Sequence, residues 1–538
     1  MSSGIAIDVA VMFLAMLVLV SAANRLRVPY PIALVLGGIA LGYLPGLPAL
    51  AMPPDLVLLI FLPPLLYWES VTAPTSEFFS SSGLWWMFQL AFGLVVVTML
   101  AVGAAAHALV PAMAWGSALL LGAIVASTDE VALAPIIERM HIPRHVVATI
   151  EGESLVNDAT SLVLYGIAVS AVVYNTFSLP HALGALALSI TGALAIGVAA
   201  GLLASAAWRF TQRDDALQGV ISLMVPYLAY LPAWYLGISG VLAVVAAGFT
   251  VSHFTPRVLT PRARERATGF WVTIVFMLNA TIFMLVGMQF HQIAGSLHRF
   301  SFAQLALYGA AISATVIVVR LAWVFAQGLL PETNEPEHTA GKADWSHVAV
   351  LAWAGMRGGV SLAAALAIPI ETATGLFPHR DLTIFLTFCV LIATLVGQGG
   401  TLPLLLRWLN IRDDGVDTRE ERVALTYTAK AALQRLGELE RGEDGVSPGV
   451  ARVIRQRFKT RWSEFAPSSY GAQDAARASN EYRRVVRSLL EVQRDSLAAL
   501  RRAGKIDNTV MRRIQRLLDL EVEELDLLES TGQVDIEE

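Results

Sequence analysis

The residues with the most chemistry to offer in this 538-residue chain lie in one stretch, Glu151-Gly152-Glu153-Ser154-Leu155-Val156-Asn157-Asp158-Ala159-Thr160-Ser161. It opens an apolar run, Leu162 to Tyr174, that is helical in character and long enough with its flanks to cross a bilayer. A carboxylate inside hydrocarbon is costly, so acids and an Asn at a membrane-helix entrance point to function. On a helix Glu153 and Asn157 are four apart and share a face. Ser154, Asp158 and Ser161 share a neighbouring one. The group offers oxygen ligands, with Asp158 as its deep titratable member. A hard monovalent cation is bound by oxygens, and a proton competes for the same carboxylate.

Two further stretches read as interrupted helices. Ala126-Ser127-Thr128-Asp129-Glu130-Val131 puts two acids mid-span, and Trp353-Ala354-Gly355-Met356-Arg357-Gly358-Gly359-Val360-Ser361 sets three glycines around an arginine. Glycine favours unwinding, and unwound backbone survives at membrane depth only where protein or a wet cavity satisfies it. Interrupted helices at corresponding places in two halves point to a secondary transporter built from inverted repeats. The spacing suits two repeats of six helices after one extra N-terminal helix. Ser154, Thr128 and Ser361 could also spend their hydroxyls on their own helix backbone.

The elements that must carry these residues follow from composition. Hydrophobic residues make up 55% of the chain and charged residues 15%, which overrides the several soluble domains its length would suggest. The expected fold is an all-α polytopic membrane protein. The net charge of -5 is too small to imply nucleic acid or another charged partner. The lone Cys389 excludes an internal disulfide and a cysteine metal cage, and reads as a packed apolar residue. The first apolar segment lacks a basic leader and a small-residue cleavage pattern, so it reads as a span.

Breaks at Gly, Pro and charge clusters give about thirteen spans of roughly 17–25 residues. They are Ile5–Ala23, Pro31–Leu44, Pro54–Val71, Leu84–Leu109, Trp115–Arg139, Val146–Tyr174, His181–Trp208, Ala216–Leu236, Gly240–His253, Thr268–Phe290, Phe302–Leu330, His347–Ile368 and Leu382–Trp408. Alternate loops hold Arg25 and Arg27; Arg139 and Arg144; Arg209 and Arg213; Arg257, Arg262, Arg264 and Arg266; then Lys342. The opposite set holds only Arg299 and Arg380, so the first set is expected in the cytoplasm and the N-terminus outside. Residues 1–408 form the expected transmembrane domain. Residues 409–538 form a charged cytoplasmic helical domain, with helices at Arg419–Arg441, Gly449–Phe465, Gln473–Ala503 and Thr509–Leu528.

Gly152-Glu153-Ser154-Leu155-Val156-Asn157-Asp158-Ala159 resembles the signature of monovalent cation–proton antiporters of the NhaP/NHE branch. The likeness extends in order through Phe61-Leu62-Pro63-Pro64-Leu65-Leu66-Tyr67, Ser239-Gly240-Val241-Leu242-Ala243, Phe270-Trp271 with Asn279 and Phe283, and Gly355-Met356-Arg357-Gly358-Gly359-Val360-Ser361. The tail segment Leu500-Arg501-Arg502-Ala503-Gly504-Lys505-Ile506 is similar to bacterial members. The resemblance implies an inner-membrane homodimer with a role in pH homeostasis, exchanging Na⁺ (or Li⁺, K⁺) for H⁺ without ATP or cofactor.

It also implies roles. Asp158 would alternate between cation and proton, with Asn157 as its partner. Asp129, with Thr128, would add oxygens from the crossing, so Asp158 and Asp129 would be the carboxylates that meet the transported ion. Glu153 would pair with Arg320, and Arg357 would neutralise helix ends at the second break. One carboxylate alternating between ligands implies electroneutral exchange. Glu130 departs from the Pro or small residue of relatives and becomes a possible additional ligand. Trp234 replaces a Glu, and Glu69 reads as facing the cytoplasmic interface. A remote alternative is an intramembrane serine protease using Ser239 of Gly237-Ile238-Ser239-Gly240, but no later mid-span His supplies its base.

Overall fold

The computed structural model describes residues 3–26, 29–44, 53–73, 89–129, 133, 142–174, 179–211, 214–258, 261–329, 345–372 and 375–411, with isolated positions in the tail. Glu130 and Lys342 lie outside the described residues, as do the tail helices expected beyond Arg419 apart from those isolated positions. The chain divides into two compact units, Met1–Arg412 and Asp413–Glu538.

The first unit is helical almost throughout. Helices α1 (Ser3–Leu26), α2 (Tyr30–Gly42) and α3 (Pro54–Thr72) are followed by a π-helical turn at Gln89–Gly93 that runs into α4 (Leu94–Leu109). Then come α5 (Trp115–Ala126), α6 (Arg144–Tyr174), α7 (Leu179–Phe210), α8 (Asp215–Tyr235), α9 (Gly240–Val258), α10 (Pro261–Ser296) and α11 (Phe302–Gly328). The short helices α12 (Trp345–Trp353) and α13 (Gly359–Leu366) precede a two-residue hairpin, in which β1 (Glu371–Thr372) pairs antiparallel with β2 (Gly375–Leu376). The last rod is α14 (Arg380–Ile392), a π-helical segment Ala393–Gly399, and α15 (Gly400–Trp408).

Among the described residues eight helices are long and apolar enough to cross a membrane, and four shorter apolar helices accompany them. Outward leucines such as Leu17 on α1 and Leu203 on α7, each 68% exposed, suit hydrocarbon rather than water. The fold is that of an all-α polytopic membrane protein.

Three elements depart from the expected spans. α10 is 36 residues long and starts at Pro261, so Arg264 and Arg266 lie on its first turns and not in a loop. Proline is pre-organised for the first helical position, which explains the early start. The fifth span stops being helical at Ala126, and residues 127–129 are extended. The last span is interrupted by the π-helical segment. Pro403 lies four residues beyond Gly399; it cannot donate to that carbonyl and its ring crowds it, which disfavours regular α-helix just there.

Close helix contacts are made through glycine. A Cβ at Gly38 of α2 would come within 2.6 Å of the Met284 carbonyl oxygen of α10, and one at Gly42 within 2.5 Å of the Met288 carbonyl oxygen. Small residues four apart let two backbones touch, which is how helices associate where lipid offers no hydrophobic drive. Gly38→Ala must push backbone apart and should cost about 1–3 kcal/mol. Gly166 of α6, where a Cβ meets nothing within 4 Å, should gain up to about 1 kcal/mol as Ala. Thermal unfolding in detergent checks the pair: Gly38→Ala lowers Tm and Gly166→Ala does not.

Candidate ion-binding site at the helix crossing

Two broken helices meet at the centre of the first unit. α5 ends at Ala126 and α12 at Trp353, and the non-helical segments 127–129 and 354–358 lie against each other. Asp129 N donates to the Met356 carbonyl at 2.9 Å, and Gly359 N donates to Asp129 Oδ2 at 2.9 Å. The Asp129 carboxylate therefore caps α13 at its N-terminus, where a helix presents unsatisfied N–H groups and positive dipole. Arg357 Nη1 donates to the Ala126 carbonyl at 2.9 Å, closing the C-terminal end of α5. Ser127 and Ser361 join their hydroxyls across the crossing at 3.0 Å. All these side chains are buried.

The three glycines of the second break make room. A Cβ at Gly358 would overlap the Asp129 carboxylate, and one at Gly355 would overlap the Arg320 side chain. A Cβ at Gly359 would lie 2.6 Å from Asn279 Oδ1 of α10. Each glycine thus admits one polar side chain against the chain break.

α6 passes beside this crossing. Asn157 Oδ1 accepts from Thr128 N at 3.3 Å, and Asn157 Nδ2 donates to Thr128 Oγ1 at 2.6 Å. Ser154 Oγ donates to the Thr128 carbonyl at 2.8 Å. Ser154 and Asn157 therefore converge on one residue of the break, although helical spacing alone assigned them to neighbouring faces. Their hydroxyl and amide do not serve their own helix, whereas Thr160 and Ser161 do, donating to the Val156 carbonyl at 2.8 Å and the Asp158 carbonyl at 3.0 Å. Asp158 is 2% exposed.

Glu153 turns away from that group. Arg320 of α11 grips it with both terminal nitrogens, Nη2 reaching Oε2 at 2.9 Å and Nη1 reaching Oε1. Arg320 Nη2 also donates to the Leu351 carbonyl at 2.8 Å, near the C-terminal end of α12. The pair is 1% exposed on both sides and ties α6 to α11 and α12.

Sequence reasoning missed Glu69. Its position three residues before the end of α3 suggested an interface, yet it is 9% exposed. Packing explains its depth. Tyr67 lies against Trp271 with ring centroids 5.1 Å apart, Trp271 Nε1 donates to Ser222 Oγ at 2.7 Å, and Ser252 Oγ donates to the Val71 carbonyl at 2.9 Å. Those contacts draw the last turns of α3 under α8, α9 and α10. The available signal was the acid two residues after the buried Tyr67. Trp234, by contrast, is 58% exposed. Ser239 Oγ accepts from Leu242 N at 3.3 Å, and its own N–H donates to Ser189 Oγ at 2.9 Å. It is a helix cap at the α8–α9 junction. Glu130 lies outside the described residues.

The model of the sodium/hydrogen exchanger transmembrane domain matches residues 10–408. The chain belongs to the sodium/hydrogen exchanger family. This exchanger is 34% identical over 517 residues to an uncharacterised Na(+)/H(+) exchanger of Mycobacterium tuberculosis, covering 93% of the chain and 92% of that protein. It is 28% identical to the sodium, potassium, lithium and rubidium/H(+) antiporter of Bacillus pumilus, over 85% of the chain and 70% of that protein. Its fold matches the sodium proton antiporter MjNhaP1 of Methanocaldococcus jannaschii with a TM-score of 0.57 at 20% identity, covering 75% of the chain and 98% of that structure. As an exchanger it is a transporter, not an enzyme, and the capping role of Ser239 accords with that.

The Glu153–Arg320 pair yields a prediction. Removing one partner strands a buried charge, so Arg320→Ala should destabilise the exchanger by about 3–5 kcal/mol. Replacing both at once, as Glu153→Gln with Arg320→Met, leaves no stranded ion and should cost less than Arg320→Ala alone. Thermal unfolding of the three proteins checks the order.

Proposed function

We propose that this cation/proton exchanger moves Na⁺ against H⁺, one for one, with Asp158 as the carboxylate that the two ions occupy in turn. The observation that carries the reading is the convergence of Ser154 and Asn157 on the unwound Thr128, one residue from buried Asp158 on α6 and one from Asp129 in the break. Carboxylate, hydroxyl and peptide oxygens gathered where backbone is unwound are a donor set for a dehydrated alkali cation.

Charge counting supports the stoichiometry. Among the described residues four acids are buried, Glu69, Asp129, Glu153 and Asp158, against two arginines, Arg320 and Arg357. Glu153 and Arg320 neutralise each other, and Arg357 offsets one further acid. Two negative charges remain, and hydrocarbon-depth charge must be balanced. One exchangeable cation or proton together with one retained proton balances them in either loaded state. The loaded site then carries the same charge both ways, which is electroneutral exchange. Asp129, committed to capping α13, contributes as a fixed charge and ligand. Glu69 is the additional acid that shares the field, and Glu130 beside Asp129 is a candidate for tuning ion choice.

Potassium selectivity is the second reading, and the ions named for the Bacillus pumilus antiporter favour keeping it. Residues 1–408 are the transport domain on this reading, with two inverted six-helix repeats, thirteen crossings, the N-terminus outside and the helical tail 409–538 in the cytoplasm. The exchanger would work as a homodimer in the inner membrane.

Dye-monitored proton flux in proteoliposomes, with Na⁺, Li⁺ and K⁺ added in turn, tests the proposal. Wild type should exchange without generating a membrane potential, and its apparent KM for Na⁺ should rise as pH falls, because protons compete for one carboxylate. Asp158→Asn should be folded and silent; full transport by that variant removes the proposed carrier. In the same assay Glu69→Gln, which mimics an acid that keeps its proton in both loaded states, should leave the KM for Na⁺ within about twofold, while Glu130→Ala should re-rank the ions more than it changes rate. A strongly raised KM in the first moves the retained proton to another acid, and an unaltered ranking in the second takes Glu130 out of the site.

A further inference from the structure

Gln398 is a buried amide in the last membrane rod, 2% exposed, and neither Oε1 nor Nε2 has a hydrogen-bond partner among the described residues. An unsatisfied amide is costly in an apolar interior. It sits within the π-helical segment Ala393–Gly399, a helix form that occurs mostly as short insertions and is frequent at functional places.

That segment and the first turn of α15 meet the second break and the end of α12 at three points. Thr394 Oγ1 accepts from Arg357 N at 3.2 Å, and Trp353 Nε1 donates to Thr401 Oγ1 at 3.0 Å. Between them Gly399 lies so close to Met356 that a Cβ there would stand 2.7 Å from its sulfur. Gln398 therefore belongs to the part of the rod that follows Met356 and Arg357. Arg357, in turn, spends Nη1 on the Ala126 carbonyl, while its Nε and Nη2 are buried with no partner. Two spare donors on the break and a spare carboxamide on the rod that clamps it are complementary.

We propose that Gln398 is a positioning residue for the transport step, supplying the acceptor that the Arg357 guanidinium takes when the crossing rearranges. This rests on the reading that the crossing moves as Asp158 exchanges its ions. When α5 shifts relative to α13, the bond from Arg357 to the Ala126 carbonyl breaks, and a guanidinium in dry protein needs another oxygen at once. Gln398 Oε1 provides it. A π-helical segment holds its extra residue loosely, so a local shift in hydrogen-bond register can swing Gln398 without unfolding the rod. The amide is unsatisfied in this conformation because its partner belongs to the other one.

The consequence is a variant that is at least as stable as wild type yet slow. Gln398→Met keeps length and removes the acceptor; Gln398→Leu is the second test. In proteoliposomes Vmax for Na⁺/H⁺ exchange should fall about tenfold, equivalent to about 1.4 kcal/mol on the barrier, with the KM for Na⁺ within about twofold. Tm should hold or rise, since an unsatisfied buried amide is gone. Stabilisation of Tm by added Na⁺ or Li⁺ should persist, whereas Asp158→Asn should lack it, which separates failure of this inference from failure of the site assignment. Wild-type Vmax in both variants overturns the inference. So does a raised KM at normal Vmax, which would make Gln398 part of the ion site, and so does a Tm that falls together with turnover, which would make it packing.

Discussion

An interrupted helix inside hydrocarbon exposes N–H and C=O groups that lipid cannot satisfy, and most of the unusual side chains in this exchanger answer that constraint. Asp129 supplies the acceptor for the first N–H of α13, Arg357 the donor for the last carbonyl of α5, and Arg320 a donor for a carbonyl near the end of α12. Each charged group sits at the helix end whose dipole favours it, the acid at an N-terminus and the arginines at C-termini. Arg380 extends the pattern beyond the crossing, donating to the Leu366 and Ile368 carbonyls where α13 ends. The caps make the breaks stable, and the breaks make peptide oxygens such as that of Thr128 available at depth.

The same devices determine what α6 can do. A regular helix offers an ion only side chains, because its carbonyls are engaged four residues on. By running past an unwound segment, α6 adds Thr128 to the oxygens it carries itself, with Ser154 and Asn157 fixing the register between them. Glu153, one residue before Ser154, is removed from this group by Arg320. Glu153 is thereby spent on holding three helices together, while Asp158, five residues on, remains buried beside the residues that meet Thr128.

Much of this was legible in the residues. Apolar runs bounded by Gly, Pro and arginine located helix throughout the first unit, and the clustered glycines about Arg357 located the second break, because glycine both permits unwinding and clears space for the side chains that cap it. The first break was legible only as a pair of acids in an apolar span. It contains neither Gly nor Pro at Ser127–Asp129, and its stability comes from Asn157 and Met356, partners far away in sequence. Glu69 was misread because depth along a helix does not follow from distance to its end when Trp271, Ser222 and Ser252 draw that end inward. The π-helical segment left a faint trace, in Pro403 placed four residues after Gly399, the second glycine of Gly397, Gly399 and Gly400. Helical periodicity is blind to one inserted residue in an apolar rod buried on most sides.

On the proposed function, coupling follows from the same burial that makes the site expensive. An empty Asp158 leaves the crossing with an excess of negative charge, and carrying that charge through the dry layer between the two sides costs far more than carrying it neutralised. On the proposed function a proton or an alkali cation at Asp158 would remove the excess, so that an occupied site could change sides while an empty one stayed where it is. Arg357 keeps the penalty finite: it offsets one acid and lets the helix ends approach, yet it cannot discharge the remainder. A further fixed positive charge would let the empty site cross and uncouple the gradients, and a further fixed negative charge would demand a second ion per turnover. On the proposed function, the balance of four acids and two arginines among the described residues would set the stoichiometry, and any substitution that alters buried charge would act on coupling before it acts on affinity.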